Sequence, residues 1–314
     1  MKKYDVIVIG GGAAGLSGAL ALVRSRRSVL VVDDGTPRNA PAEGVHNYLT
    51  RDGVPPAELY AIGRQEVAGY GGEFASGTVT AVRRDELFTV ELADGTTYQG
   101  RRLLVTTGLT DVLPDVPGLA ERWGRDVLHC PYCHGWEVRD QAIGVLGVSG
   151  MATFQALLFR QLSDDVTLFL HTAPEPTDEQ WEQLAARGIS VVQGKVEQLE
   201  VENDKLTGVR LEGGRVIPRQ ALAIQTSMRA RAGFLVDLGL ETVEQEMAGL
   251  VMGTVIAADP TGATAVPGVF VAGNVTDARA TVMPAAAAGL LAAGGINADL
   301  IQEETRLAVA ARSS

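Results

Sequence analysis

Within its first 34 residues the chain runs strand, glycine turn, helix, strand and acid in immediate succession, an order that few folds accommodate. Tyr4 to Ile9 (YDVIVI) is a continuous apolar run, as expected of a parallel strand covered on both faces. It enters Gly10-Gly11-Gly12-Ala13-Ala14-Gly15 and then an alanine- and leucine-rich helical stretch to about Ser25. A second strand, Ser28 to Val32, ends in Asp33 and Asp34. The whole reads as a βαβ unit, with Gly10, Gly12 and Gly15 in GxGxxG spacing and an acid 18 residues beyond the last glycine.

Each glycine in that spacing has a task. The first permits the tight turn, the second lets a pyrophosphate approach the backbone, and the third allows helix and strand to pack closely. The helix N-terminus then offers free N–H groups and the positive end of a dipole. Asp33 stands where a carboxylate accepts hydrogen bonds from a ribose hydroxyl. A lone GxGxxG is weak, because glycines cluster in many turns. With strand, helix and acid all in place, the segment specifies a dinucleotide site.

A length of 314 residues suggests two domains. Apolar residues at 46% and charged residues at 21% describe a chain with a real core, one that needs no disulfide staples. A net charge of −11 argues against nucleic acid or an anionic membrane as partner. The first residues run straight into a strand with no signal-peptide pattern, and no window reads as long and apolar enough to span a bilayer. The expected compartment is the cytoplasm, where a CxxC is more often catalytic or metal-binding than structural.

Further strands are expected at Glu86–Leu92 and Arg101–Val105, the latter entering Thr106-Thr107-Gly108. The Pro- and Gly-rich residues 114–118 read as a linker. Beyond it, Gln141–Val148 is an apolar strand, followed by a helix to about Leu162 and a strand at Val166–His171, a second βαβ unit. Near the end, Gly268-Val-Phe-Val-Ala-Gly273-Asn274 is a strand with a glycine turn, and an alanine-rich helix begins at about Pro284. Both cysteines of the chain lie in one segment, His129-Cys130-Pro131-Tyr132-Cys133-His134.

The N-terminal GGGAAG, the TTG after a strand, a CxxC opening the second domain and GVFVAGN near the end occur together in order. In this the chain resembles the low-molecular-weight thioredoxin-reductase family of flavoproteins, over essentially its whole length. The resemblance implies an α/β fold of two Rossmann-like, doubly wound domains. Residues 1–113 and 248–314 would form an FAD domain, and 114–247 an inserted Rossmann-like domain carrying the CPYC pair. It implies FAD contacts from Gly10, Gly12, Ala13, Ala14, Gly15, Asp33, Arg38 and Val79. Gly108 would lie near the flavin, Asn47 beside the isoalloxazine, and Gly273 with Asn274 near the ribityl chain and pyrophosphate. Two departures stand in this half. Asn274 replaces the usual Asp, although an amide can still bond a ribityl hydroxyl. Thr281-Val282 replaces an Arg-Gln pair, so only the backbone of Val282 could serve.

The second domain departs further. Relatives that use NADPH carry their own glycine turn, and arginines after the next strand to hold the 2′-phosphate. Here the turn is Gly147-Val148-Ser149-Gly150-Met151-Ala152, with Ser149 at the middle glycine's place, where a Cβ obstructs the pyrophosphate. After the next strand comes His171-Thr172-Ala173-Pro174-Glu175-Pro176, which has an acid and no arginine. The expectation is a domain whose nicotinamide site is degenerate, with NADPH in doubt. The competing expectation is that Arg229 and Arg231 supply the contacts.

Three chemistries compete for HCPYCH. CxxCH is formally a c-type haem signal, but haem attachment of that kind belongs to exported chains. Zinc would need four ligands, and six consecutive residues do not readily wrap a tetrahedron. Redox chemistry needs two thiols and a flavin, and it is preferred; no metal is expected. By analogy with the family, Cys133 would face the flavin and Cys130 would exchange with substrate. His134 replaces the acid that follows the second cysteine in thioredoxin reductases. A histidine titrates near neutrality and can take a proton from an incoming thiol. His129 is a weaker candidate of the same kind. Trp136 and Glu137 could line the site, with Trp136 equally suited to the core.

The HGWE continuation and the eroded nucleotide turn resemble the small-molecule dithiol oxidases of the holomycin and gliotoxin type. That resemblance implies an FAD enzyme that closes a disulfide in a small dithiol, with dioxygen as acceptor and hydrogen peroxide as product. The alternative is a thioredoxin-reductase-like enzyme that reduces a protein disulfide with NADPH or ferredoxin. A non-catalytic flavin redox sensor is the reading from another class. Relatives are homodimers, and a homodimer is expected here.

Overall fold

The computed structural model describes residues 2–247 and 249–312. The expected boundary at residue 248 and the chain ends at 1, 313 and 314 lie outside the described residues. The chain opens with β1 (Lys3–Ile9), α1 (Ala13–Arg24) and β2 (Val29–Asp33). It continues through α2 (Pro56–Gly69), β3 (Glu73–Ser76), β4 (Val79–Arg84), β5 (Phe88–Leu92) and β6 (Thr97–Val105), and leaves this unit along β7 (Leu109–Val112). A second unit follows: α3 (Leu119–Arg122), β8 (Val127–Leu128), α4 (Pro131–His134), β9 (Ile143–Leu146), α5 (Ala152–Phe159) and β10 (Val166–Phe169). It is completed by α6 (Asp178–Ala186), β11 (Ser190–Val192), β12 (Val196–Glu202), β13 (Lys205–Leu211), β14 (Val216–Pro218) and β15 (Ala221–Ile224). The chain then returns through β16 (Ser227–Ala230), β17 (Thr242–Met247), β18 (Leu250–Ile256), β19 (Val269–Val271) and α7 (Val282–Arg312).

The strands of the first unit lie in the order β3-β2-β1-β6-β5-β4, with β19 also on β6. β1 pairs in parallel with β2 on one side and with β6 on the other. That reversal of winding opens a crevice at the strands' carboxyl ends, where such sheets bind ligands. In the second unit β11-β10-β9-β15-β8 form a parallel sheet, so its loops also gather at one end. The fold is therefore α/β with two doubly wound units. Individual ends move by a few residues from the sequence expectation: β6 starts at Thr97, α5 stops at Phe159 and α7 starts at Val282.

Two expectations change. The sequence reading places residues 227–247 in the inserted domain. Instead β16 pairs antiparallel with β7 and parallel with β18, and Ala232, Leu235 and Leu240 pack in the same core as Ile7 and Val105. The chain thus crosses back near Gln225, because the apolar residues after β15 complete the first unit's core.

The second change concerns α7. By length and composition it is apolar enough to cross a membrane, with an 18-residue window of mean hydropathy 1.3, contrary to the sequence reading. The alanines and glycines that raise its hydropathy also permit close packing. A Cβ at Gly289 would overlap the Ala14 carbonyl oxygen of α1, and one at Gly18 would sit 3.0 Å from the Gly289 oxygen. Ala285, Ala292, Ala293, Ile296 and Leu300 are buried along that contact. Fully buried side chains such as Leu22 and Ile296 each contribute roughly 1.5–3 kcal/mol.

Candidate functional site

Strand ends build the site from both units. β1 ends in Gly10, whose φ of +106° and close approach to the Thr106 carbonyl exclude a side chain. Gly15 is a packing glycine, since a Cβ there would overlap the Gly10 oxygen. Gly12 differs: a Cβ on it would meet nothing within 4 Å. It caps α1 without a side-chain hydrogen bond, and no acid occupies the helix's first turn. The α1 N–H groups are thus left for an anion beside a backbone with room for it. These residues fit the pyrophosphate of FAD.

A cleft of about 1000 Å³ runs from this turn to the cysteines. It is lined by Gly10, Gly12, Ala13, Ala14, Asp33, Arg38, Val79, Gly108, Gly273, Asn274 and Val282, and also by His129, Cys130, Cys133 and His134. Of the expected site residues, Gly15 and Asn47 are not among its lining. Asn47 has φ +59°, and its Nδ2 donates to the Tyr132 carbonyl at 2.5 Å, so it holds the CPYC turn. Asp33 accepts from Gly11 N and pairs with Arg64 at 2.8 Å, so its carboxylate is already engaged by the protein. Arg38 makes a bidentate pair with Asp111, both contacts 2.7 Å. Burial alone would raise the Asp111 carboxyl, but Arg38 and the Thr226 hydroxyl hold it below its usual value. Asn274 donates through Nδ2 to the carbonyls of Ala280 (2.8 Å), Asp277 (3.1 Å) and Ala278 (3.4 Å).

The cysteines stand at the carboxyl end of β8. Pro131 occupies the first turn of α4, where a preset φ and a missing N–H cost nothing. The amides of Cys133 and His134 both donate to the Cys130 carbonyl at 3.2 Å, which brings the thiols together. Cys130 and Cys133 are disulfide-bonded, with Cα atoms 5.3 Å apart. Burial lowers His134 below the ordinary imidazole value, opposed by the carboxylates of Glu137 and Glu43. Burial also lowers His129, and the Arg38 cation adds to the effect. His129 Nδ1 lies 3.1 Å from the Ile224 carbonyl, which only accepts, so Nδ1 carries the proton and Nε2 the lone pair. Trp136 is exposed rather than in the core and stacks under Arg139 at 4.1 Å.

The second unit's glycine turn is built differently. Ser149 Oγ accepts from Met151 N at 3.3 Å, and the Leu250 side chain lies 3.2 Å from where a Gly150 Cβ would stand. The cavity beside it is about 240 Å³ and includes Val112, Ser149, Thr226 and Met252. After β10, Thr172 and Ala173 donate back to the Gly147 carbonyl, and His171 Nδ1 accepts from Val196 N. Arg231, expected as a possible cation here, pairs with Asp34 in the first unit, and Arg229 lies on β16.

Sequence reasoning missed three features of the site. His46 lines the cleft and meets Glu137 at 3.3 Å and Asp52 at 3.4 Å. Gln155 lines it from α5 together with Met151, Phe154 and Leu158. The 151, 154, 155, 158 spacing was a readable signal of one helix face. The engagement of Arg38 by Asp111 left no local signal.

Comparison with known proteins bears on this geometry. The family model described as pyridine nucleotide-disulphide oxidoreductase matches residues 4–292. Thioredoxin reductase tcpT of Claviceps purpurea is 33% identical over 282 residues, 86% of each chain. Thioredoxin reductase sirT of Leptosphaeria maculans is 32% identical over 312 residues, covering 94% of this chain and 93% of its own. Among solved structures, HlmI superposes with a TM-score of 0.91 at 47% identity, covering 98% of this chain and 96% of that one. An oxidoreductase from Agrobacterium tumefaciens superposes with a TM-score of 0.88 at 34% identity, over 96% and 99% of the two chains.

Proposed function

The chain belongs to the pyridine nucleotide-disulphide oxidoreductase family and is an FAD-dependent disulfide oxidoreductase; from that premise we propose that it oxidises a small-molecule dithiol to its disulfide. What carries this direction is the second unit's glycine turn, filled by Ser149 and covered by Leu250. A nicotinamide nucleotide would find neither backbone room nor a cation for a 2′-phosphate there. In the proposed direction electrons enter through the cysteines.

In the proposed reaction a substrate thiolate attacks Cys130 Sγ, forming a mixed disulfide and releasing Cys133 as thiolate. His134, held neutral by burial, takes the proton of the second substrate thiol. That thiolate attacks the substrate sulfur of the mixed disulfide and expels Cys130. Two electrons have passed from the dithiol to the cysteine pair, and the product leaves as a cyclic disulfide. Bound FAD supplies the acceptor for those two electrons, with dioxygen proposed as the final acceptor and hydrogen peroxide as its product. The protein's own part is to hold the anionic end of the cofactor at α1, position the CPYC turn and move one proton.

The names of the curated relatives favour a second reading, a reductase running in the opposite direction. An anaerobic titration separates the two. A small dithiol should bleach the flavin, and air should restore its colour with release of peroxide. Rapid, stoichiometric bleaching by NADPH would sink the oxidase reading.

A further inference from the structure

In the reaction above His134 takes one substrate proton per turnover, and it can act again only after losing it. The groups beside it lead outward. His134 ends α4, Gly135 keeps helical backbone angles, and Trp136–Val138 form a 3-10 turn. His134 and Glu137 therefore stand three residues apart in one helical run, the spacing that puts two side chains on the same face. Against Glu137 stands His46, on the loop that Val45 and Val54 close. Its Nε2 lies 3.3 Å from Glu137 Oε1 and its Nδ1 3.4 Å from Asp52 Oδ2. One imidazole is thus held between two carboxylates, one just beyond the CPYC turn and one whose side chain is 67% exposed. His46 and His134 both line the cleft. The carboxylates of Glu137 and Glu43 and the ring of His46 are the charged groups felt at His134.

We propose that Glu137, His46 and Asp52 carry the proton of His134 out to solvent. Glu137 takes the proton from the His134 imidazolium and passes it to His46 Nε2. His46 gives a proton from Nδ1 to Asp52, and Asp52 releases it to water. An imidazole suits the middle place because it can gain a proton at one ring nitrogen while losing one from the other. Every group ends with the charge it started with, and no electrons move. These three residues act through His134 and touch neither the cysteine sulfurs nor the dithiol. The inference rests on the dithiol reading above and adds to it the route by which the base is reset.

Dithiothreitol is given to the FAD-loaded protein at neutral pH in two experiments. Anaerobic stopped flow reads the first bleaching of the flavin, and oxygen uptake under air reads repeated turnover. The first event finds His134 unprotonated and needs no exit, whereas every later one does. His46→Gln can still hydrogen-bond Glu137 but cannot take a proton at one end and give one at the other. Its first bleaching should stay within about twofold of the natural chain, while its turnover should fall about tenfold, short of the loss of the base itself. Imidazole in the buffer, a free carrier of the same chemistry, should restore most of that turnover and leave the natural chain's unchanged. His46→Asn serves if the glutamine variant does not fold. A histidine that only holds the turn would slow both events together and gain nothing from imidazole. That result overturns the proposal, as does normal turnover in a folded variant. If the natural chain fails to bleach, or bleaches and does not turn over under air, the oxidase reading falls and takes this inference with it, so the two failures are told apart.

Discussion

Asn47 and Tyr132 are 85 residues apart in sequence, yet the Asn47 side chain donates to the Tyr132 carbonyl at 2.5 Å. The contact joins a loop of the first unit to the turn that contains the redox cysteines. That loop closes on itself through Val45 and Val54, and Asn47 N donates to Asp52 within it. His46, from the same loop, reaches Glu137 just beyond the turn. Two neighbouring residues therefore hold the CPYC segment, one by a contact within it and one by a contact just beyond it.

Removing that grip should slow the chemistry without emptying the cofactor site. Asn47 has φ +59°, so Asn47→Gly deletes the contact while keeping the backbone relaxed. Reduction of the flavin by a dithiol, followed by stopped flow, should slow by about tenfold. The protein should stay yellow. A variant that instead loses FAD would return Asn47 to the flavin contact expected from the sequence.

His134 should set the acid limb of the reaction. Burial lowers it, so it remains an unprotonated base to a pH below that of an ordinary imidazole. The rate of flavin reduction should hold down to that lowered value and fall below it. Glu137 opposes the lowering, so Glu137→Gln should move the limb to still lower pH. His134→Ala should cost roughly a hundredfold at neutral pH, and an unchanged rate would remove the proposed base.

Stability should share this sensitivity. His129, His134 and His171 are all lowered, chiefly by burial. Between the lowered values and the ordinary value of 6.5, the unfolded chain binds protons that the folded one refuses. Their contribution is therefore fully present above that value and is lost as pH falls through the lowered ones. Urea midpoints should drop between pH 7.5 and pH 5.5. His171→Gln, which can still accept from Val196 N, should shrink the drop.

Restoring one glycine should not restore a nucleotide site. Ser149→Gly frees the turn, yet Leu250 still covers Gly150, and residues 170–176 directly after β10 hold no arginine. NADPH should leave the flavin of this variant oxidised under anaerobic conditions. Bleaching within seconds would show that the serine alone had closed the site.

The sequence made the first βαβ unit plain, because period, glycines and acid agree within one short segment. It also exposed the second turn's serine. What it could not show is pairing across long separations. Residues 227–247 carry no motif, and only their pairing with β7 places them in the first unit. Arg38, expected at the cofactor, lines the cleft and also pairs through Nε and Nη2 with Asp111, 73 residues on, a partner that no local pattern announces. Asn47, which the family resemblance places beside the isoalloxazine, donates to the Tyr132 carbonyl, a contact the sequence does not announce. Local chemistry is legible in sequence; which of two partners a polar side chain takes is decided by tertiary placement.

Asn274 gives the sharpest case of that rule. Relatives in the thioredoxin-reductase family usually have Asp here, so Asn274→Asp looks like a repair. Nδ2, however, donates to three backbone carbonyls of the 277–280 segment, the shortest 2.8 Å. A carboxylate can only accept, so the exchange would remove all three bonds and set a negative charge against carbonyl oxygens. That segment and Val282 beyond it line the cleft, so its loosening should reach the cofactor. FAD affinity, measured by fluorescence on reconstitution, should fall about tenfold in Asn274→Asp, corresponding to about 1.4 kcal/mol. Asn274→Ser, which keeps a single donor, should fall between. Tighter FAD binding by the aspartate variant would mean that the side chain's contact with the ribityl chain outweighs its support of the loop.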